Sequence, residues 1–174
     1  MAMKWHFSHL LLGDKMKDKA EGKMEQTFIQ VQLETFDQTA IYDWLSEPAT
    51  VGATTLFIGK VREMNLGDTI SSLFLEHYPA MTEKALNHIV VEARRRFELQ
   101  RVAIIHRIGQ LYTGDDIVLV GVSATHRGEA YHANEFIMDY LKTEVPFWKR
   151  EKTQSGERWV EGRESDQLAV KKWQ

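Results

Sequence analysis

Apolar positions along this chain recur with two periods, and the points where one gives way to the other divide it into elements. Phe28-Ile29-Gln30-Val31-Gln32-Leu33 alternates loosely and is rich in β-formers, which predicts a strand. Asp37 is placed to cap a short helix over 38–45. The run from Val51 to Val61 is apolar and β-branched, the pattern of a central strand. Asn65 and Gly67 make the next segment a turn and 69–78 reads as a strand, so the two strands are expected to form a long hairpin. Pro79 suits the first position of a helix. Met81, Ala85, Leu86, Ile89, Val90 and Ala93 then recur at steps of three and four, an amphipathic helix whose outer face carries Arg94, Arg95 and Arg96.

The second half repeats this alternation. Residues 102–108 predict a strand, 112–116 a turn, and the wholly apolar 117–122 a buried strand. A helix is expected over 129–144, with Ala130, Ala133, Ile137 and Leu141 inward and Pro146 as its stop. The segment 147–160 reads as a hairpin turning near Ser155-Gly156. The order β-β-α-β-β-α-β-β implies an α+β domain, mainly antiparallel, with two principal helices. Residues 26–174 form that single domain. Residues 1–25 read as a flexible extension, because 13–25 are charged and poor in apolar side chains, and Met24 is a candidate start.

Composition narrows the function. The 174 residues are enough to bury a core in one domain, and 43% are hydrophobic, which argues against bulk disorder. Lys and Arg total 22 against 25 Asp and Glu, a net charge of −3, unlike a dedicated nucleic-acid binder. Any anion site must therefore be a local cluster of cations. There is no cysteine, which removes disulfide scaffolds, thiolate zinc sites, cysteine nucleophiles and persulfide carriers together. No stretch approaches the roughly 18 apolar residues of a membrane helix. The apolar run near the N-terminus is broken by His6 and His9 and lacks a small-residue cleavage site, so the chain reads as cytoplasmic. Nucleotide-binding and hydrolase fingerprints are missing.

The densest polar chemistry lies between Ser123 and Arg163. His126 and Arg127 fall where a buried strand meets a helix, and unpaired amides there favour a phosphate or carboxylate; the alternative is a solvated loop. Lys142 follows Met138 by one turn, and Lys149 and Arg150 follow Pro146-Phe147-Trp148. A lysine among aromatics and other cations suits proton transfer, although most lysines at helix ends only complement the dipole. Glu129 and His132 match a di-iron spacing, but such sites need a helical bundle, so no metal is expected. His77 and His106 sit in strand patterns as satisfied structural histidines. Trp148, Trp159 and Trp173 either stack a flat heterocycle or fill a core or interface. Glu164, Asp166 and the rest of the tail mix charge signs, as a solvated face does.

These residues also match a known pattern. Phe57-x-Gly59-Lys60-Val61-Arg62, Asn65-Leu66-Gly67-Asp68 and Leu75-Glu76-His77-Tyr78-Pro79-x-Met81 resemble the large, catalytic subunit family of molybdopterin synthase. So do Ile105-His106-Arg107-Ile108-Gly109, His126-Arg127, 136–143, 146–151, Trp159-Val160-Glu161 and 163–166, in order from about Val51 to Trp173. The resemblance implies an α/β hammerhead-type domain and an enzyme that converts cyclic pyranopterin monophosphate into molybdopterin by installing a dithiolene. Sulfur would arrive as the C-terminal Gly-Gly thiocarboxylate of a small ubiquitin-like carrier subunit. Two large subunits would form a homodimer at the centre of a heterotetramer. No bound cofactor is implied. The family's catalytic lysine falls on Lys142 and a second essential lysine on Lys149. Its anion and pterin residues fall on Arg62, His126, Arg127 and Arg163, with Phe57, Met138 and Glu151 lining the pocket or channel. The missing cysteines agree with sulfur brought from outside. Two rivals stand beside this: a non-catalytic module that binds a pterin phosphate or a ubiquitin-like protein, and a metal-dependent hydrolase built on His126, Glu129 and His132.

Overall fold

Val102, Ile104, Val120 and Val122 pack to one side of a sheet and Ala103, Ile105 and Leu119 to the other, so the strands carrying them are covered on both faces. The computed structural model describes residues 26–65, 67–160, 162 and 164–174; the expected extension, 1–25, lies outside the described residues. In chain order the described elements are β1 (Thr27–Gln32), α1 (Gln38–Ser46), β2 (Ala53–Lys60), β3 (Met64–Asn65), β4 (Asp68–His77), α2 (Pro79–Arg96), β5 (Leu99–Arg107), β6 (Gly109–Tyr112), β7 (Asp116–Ala124), α3 (Arg127–Glu144), β8 (Phe147–Thr153), β9 (Gly156–Val160) and α4 (Glu164–Lys171). Each strand and helix expected from the pattern is present, in a mixed α/β architecture with mostly antiparallel strands. No described helix is long and apolar enough to cross a membrane.

One sheet has the order β1-β5-β7-β2, with β1 parallel to β5 and the other pairs antiparallel. Asp37 caps α1 by accepting from the Thr39 and Ala40 amides at 3.0 and 3.1 Å. Ile41 and Leu45 of α1 cover one face, and α2 and α3 cover the other with Leu86, Ile89, Phe136 and Ile137. Each such side chain, fully buried, contributes roughly 1.5–3 kcal/mol. A second sheet runs β3-β4-β8-β9, with β6 also on β4. Its inner face buries Ile70, Leu73, Leu75 and Leu111.

Three expectations need correction. The long hairpin between 51–61 and 69–78 does not form, and the first of these strands is not central. β2 is an edge strand on β7, while β4 pairs with β6 and β8 in the other sheet. The Val61 amide donates to the Asp115 carbonyl and its carbonyl accepts from Gly114, both at 2.9 Å, and from there the chain leaves the first sheet. Arg94 is not on an outer face. Its guanidinium donates to the carbonyls of Gln26 at 2.7 Å and Leu99 at 3.1 Å, tying the starts of β1 and β5 to the last turn of α2. The tail is not solely a solvated face either. It forms α4, which buries Val170 and sets Trp173 edge-on to Phe136 at 5.4 Å, although Glu164 stays exposed.

Candidate functional site

The end of α3 and the outer strand of the first sheet enclose a cleft of about 410 Å³. Two polar side chains fix the helix over that strand. Thr55 donates its hydroxyl to the Ala130 carbonyl at 3.0 Å, and the buried Asn134 amide donates to the carbonyls of Val120 at 2.9 Å and Thr55 at 3.4 Å. Phe57, Tyr131, Met138 and Lys142 complete much of the wall. Phe57 is 40% exposed on β2, which has no strand beyond it among the described residues. Gly59 permits this arrangement: a Cβ there would stand 2.9 Å from the Val118 side chain and 3.4 Å from the Phe57 ring. Met138 and Lys142 are one turn apart on α3, so both face the cleft. The Lys142 ammonium lies 3.6 Å from the Asp166 carboxylate of α4. The structure thus brings together Phe57, Met138 and Lys142, three of the residues expected from the sequence.

The remaining expected residues lie elsewhere in the chain. β2 and α3 run side by side in the same direction, with Thr55 beside Ala130, so the exposed Arg62 follows β2 toward the Lys142 end. His126 caps the opposite end of the helix by backbone geometry alone, and Arg127 is its first residue; both are exposed. Fifteen helical steps separate Arg127 from Lys142, about 22 Å along the axis. Lys149 is half-buried on β8, between Leu75 and Val160 in register. Glu151, also expected as a lining residue, is buried on β8. It is 7% exposed, and its carboxylate accepts from Asn65 Nδ2 at 2.6 Å and from Arg158 at 3.2 and 3.3 Å. Arg158 also donates to Asp68 at 2.6 Å, so the buried carboxylate clamps the β3–β4 turn onto β8 and β9. Arg163 lies outside the described residues.

The histidines divide. His106 Nδ1 is 2.8 Å from the Arg107 carbonyl and its ring stacks on Phe147 at 3.8 Å. Burial pushes its pKa down to about 3, with Lys149 and His77 adding smaller downward pushes against the upward pull of the Arg107 carbonyl, so it is neutral at ordinary pH. His77 departs from the expectation of a satisfied histidine: its buried Nδ1 has no hydrogen-bond partner among the described residues, and burial lowers its pKa too. Glu129 accepts from the Glu98 amide at 3.1 Å, and no three His, Asp or Glu side chains are grouped to hold a metal among the described residues.

The tryptophans also divide. Trp173 fills the junction of α2, α3 and α4. Trp148 and Trp159 are exposed beside a groove of about 510 Å³ on the outer face of the second sheet, shared with Phe74, His77 and Tyr78. Arg150 lies over Phe74 at 5.4 Å and over Trp159 at 5.7 Å. Sequence reasoning missed the buried role of Glu151, the partner Arg158, and Lys172, which pairs with Glu135 and Asp139. The signal available for α4 was Val170 and Trp173 at helical spacing, with acids in the first turn and Lys171 in the last.

Comparison with known proteins points one way. The family model described as MoaE protein matches residues 31–144. The chain is 71% identical over 150 residues to the molybdopterin synthase catalytic subunit of Haemophilus ducreyi, an alignment covering 86% of this chain and 99% of that one. Among solved structures, the molybdopterin biosynthesis MoaE protein of Burkholderia ambifaria matches with a TM-score of 0.73 at 46% identity, covering 84% and 97% of the two chains. A complex of subunits 1 and 2 of the molybdopterin-converting factor from Helicobacter pylori shares the fold, with a TM-score of 0.62 at 19% identity, covering 79% and 91%.

Proposed function

This chain belongs to the MoaE family, that of molybdopterin synthase catalytic subunits, and from that premise we propose that it is a cytoplasmic sulfurtransferase acting on cyclic pyranopterin monophosphate. The sulfur donor is the C-terminal thiocarboxylate of a small ubiquitin-like carrier subunit, and the product carries the dithiolene of molybdopterin. The observation that carries this reading is the cleft itself: an ammonium, Lys142, set among Phe57, Met138 and Tyr131 in a chain with no thiol of its own. An extended tail ending in an anionic group suits a cleft whose apolar side chains lead to the Lys142 ammonium, with Glu135 and Asp139 also in its wall.

In this mechanism the carrier tail enters along Phe57 and Met138 and places its thiocarboxylate at Lys142. Two carriers act in turn: each thiocarboxylate sulfur forms a C–S bond at the pterin side chain as a C–O bond there breaks, and Lys142 protonates the departing oxygen. Water then cleaves each acyl–sulfur bond, leaving a thiolate on the pterin and a carboxylate on the departing carrier. Lys149 stabilises negative charge on the tail or the intermediate. Arg62, His126, Arg127 and Arg163 bind the precursor phosphate, where a guanidinium fork and helix N-terminal amides both favour an anion.

The separation of about 22 Å between Arg127 and Lys142 along one helix is too long for both to meet one small substrate. It supports a homodimer at the centre of a heterotetramer, with His126 and Arg127 of one chain serving Lys142 of its neighbour. Incubation with the precursor and the thiocarboxylated carrier tests the proposal: dithiolene product is expected. Binding of both without product would overturn it in favour of a non-catalytic binding module.

A further inference from the structure

Glu135, Asp139 and Lys142 follow one another on α3 at steps of four and three, and all three face the same cleft. Such a row has an obvious internal solution. A carboxylate three residues before an ammonium on a helix is well placed to pair with it, and an Asp139–Lys142 pair would present carboxylates to anything entering. The structure holds a different arrangement. Lys172 extends its ammonium from just beyond α4 to Glu135 at 2.6 Å and Asp139 at 2.9 Å, and the Trp173 indole donates to Asp139 at 2.8 Å. Lys142 is left with Asp166 at 3.6 Å, beyond hydrogen-bond length.

We propose that Lys172 is a positioning residue of the Lys142 cleft, engaging Glu135 and Asp139 so that an anionic group entering the cleft meets the Lys142 ammonium without their competition. This rests on the reading of Lys142 as the contact for the anionic carrier tail. Two features make Lys172 fit for the task. Its backbone is anchored, because the Trp173 ring packs on Phe97 and Phe136 and the Trp173 carbonyl accepts from Arg96 at 2.6 Å. Its ammonium donates to Glu135 and Asp139, and these hydrogen bonds raise its pKa against the smaller opposing effect of burial. Charge at the cleft depends on it. The wall and its partners carry three carboxylates, Glu135, Asp139 and Asp166, against two ammonium groups, so losing Lys172 doubles the net negative charge from one to two.

The test uses the full chain and the carrier subunit in its unreactive carboxylate form, with affinity measured calorimetrically at fixed ionic strength. Lys172→Gln is expected to weaken binding about tenfold, and Lys172→Arg to retain it. The deciding variant is Lys172→Gln combined with Glu135→Gln and Asp139→Asn, which removes both the lysine and the acids it engages. It is expected to recover affinity to within about threefold of the original chain. A purely structural role in docking α4 predicts no such recovery. A triple variant as weak as the single one, or a single variant as tight as the original, would overturn the proposal. NMR of the ¹³C-dimethylated Lys142 side chain supplies a readout independent of the carrier: its signal should move in Lys172→Gln as Asp139 turns to it, and return in the triple variant. If the original chain fails to bind the carrier, the parent reading falls, and this second readout still decides the role of Lys172, an unmoved signal counting against it.

Discussion

Arg127 and Lys142 open and close the same face-to-face helix pairing with β2: Arg127 is the first residue of α3 and Lys142 stands in its last turn. If one active site uses both, they come from two chains. Mixing an Arg127→Ala chain with a Lys142→Ala chain should then restore activity, since one of the two composite sites in the mixed dimer keeps both residues. Mixed dimers as inactive as either parent would show that the two act from the same chain. Arg127→Ala alone should weaken precursor binding by about 1.5–3 kcal/mol, tenfold to a hundredfold, with carrier affinity unchanged.

Lys142→Ala should abolish dithiolene formation and leave the fold intact. The side chain is 47% exposed and its pairing with Asp166 is long, so its removal should cost well under 1 kcal/mol of stability. Activity above about a tenth of the original would exclude a general acid/base role, which normally supplies 10²–10⁴-fold.

Glu151→Ala should lower stability by about 1–3 kcal/mol, because it removes the buried carboxylate that accepts from Asn65 Nδ2 and from the Arg158 guanidinium. Thermal unfolding measures this directly. An unchanged melting temperature would mean that the clamp on the β3–β4 turn contributes nothing.

His106 sets an acid limit on stability. Its pKa is about 3 in the fold, against 6.5 unfolded, so the unfolded chain binds the extra proton as pH falls. Its contribution is fully present above pH 6.5 and is lost progressively between 6.5 and about 3, at up to roughly 1.4 kcal/mol per pH unit. His77, also lowered by burial, acts in the same direction. Melting temperature followed from pH 7 to pH 4 should fall less steeply in His106→Gln than in the original chain. Parallel curves would contradict this.

The sequence carried the elements better than their neighbours. The three- and four-residue spacing on α3, its stop at Pro146 and the Asp37 cap are local signals, and the structure repeats them within two residues. Strand pairing is not local. The apolar run 51–61 looks central because α1 and α3 cover β2 on both faces, and nothing in the run records that no described strand pairs with its outer edge. Glu151 could not be recognised as buried before Asn65 and Arg158 were known to reach it, since a charged residue is read as exposed until its partners are found. Residue roles at the site came through the resemblance to a family, whereas the bond network around Lys172 came from the coordinates.

The parallel pairing of β1 with β5 governs how this sheet closes. Thr27 meets Val102, seventy-five positions later in the chain, so the first described strand has no place to dock until α2 and β5 have formed. The β5–β7–β2 part of the sheet is joined by antiparallel contacts and can assemble without it. Paired with β5 alone among the described strands, β1 is expected to open more readily than the central strand β7. Amides of 28–32 should exchange with deuterium faster than those of 118–122.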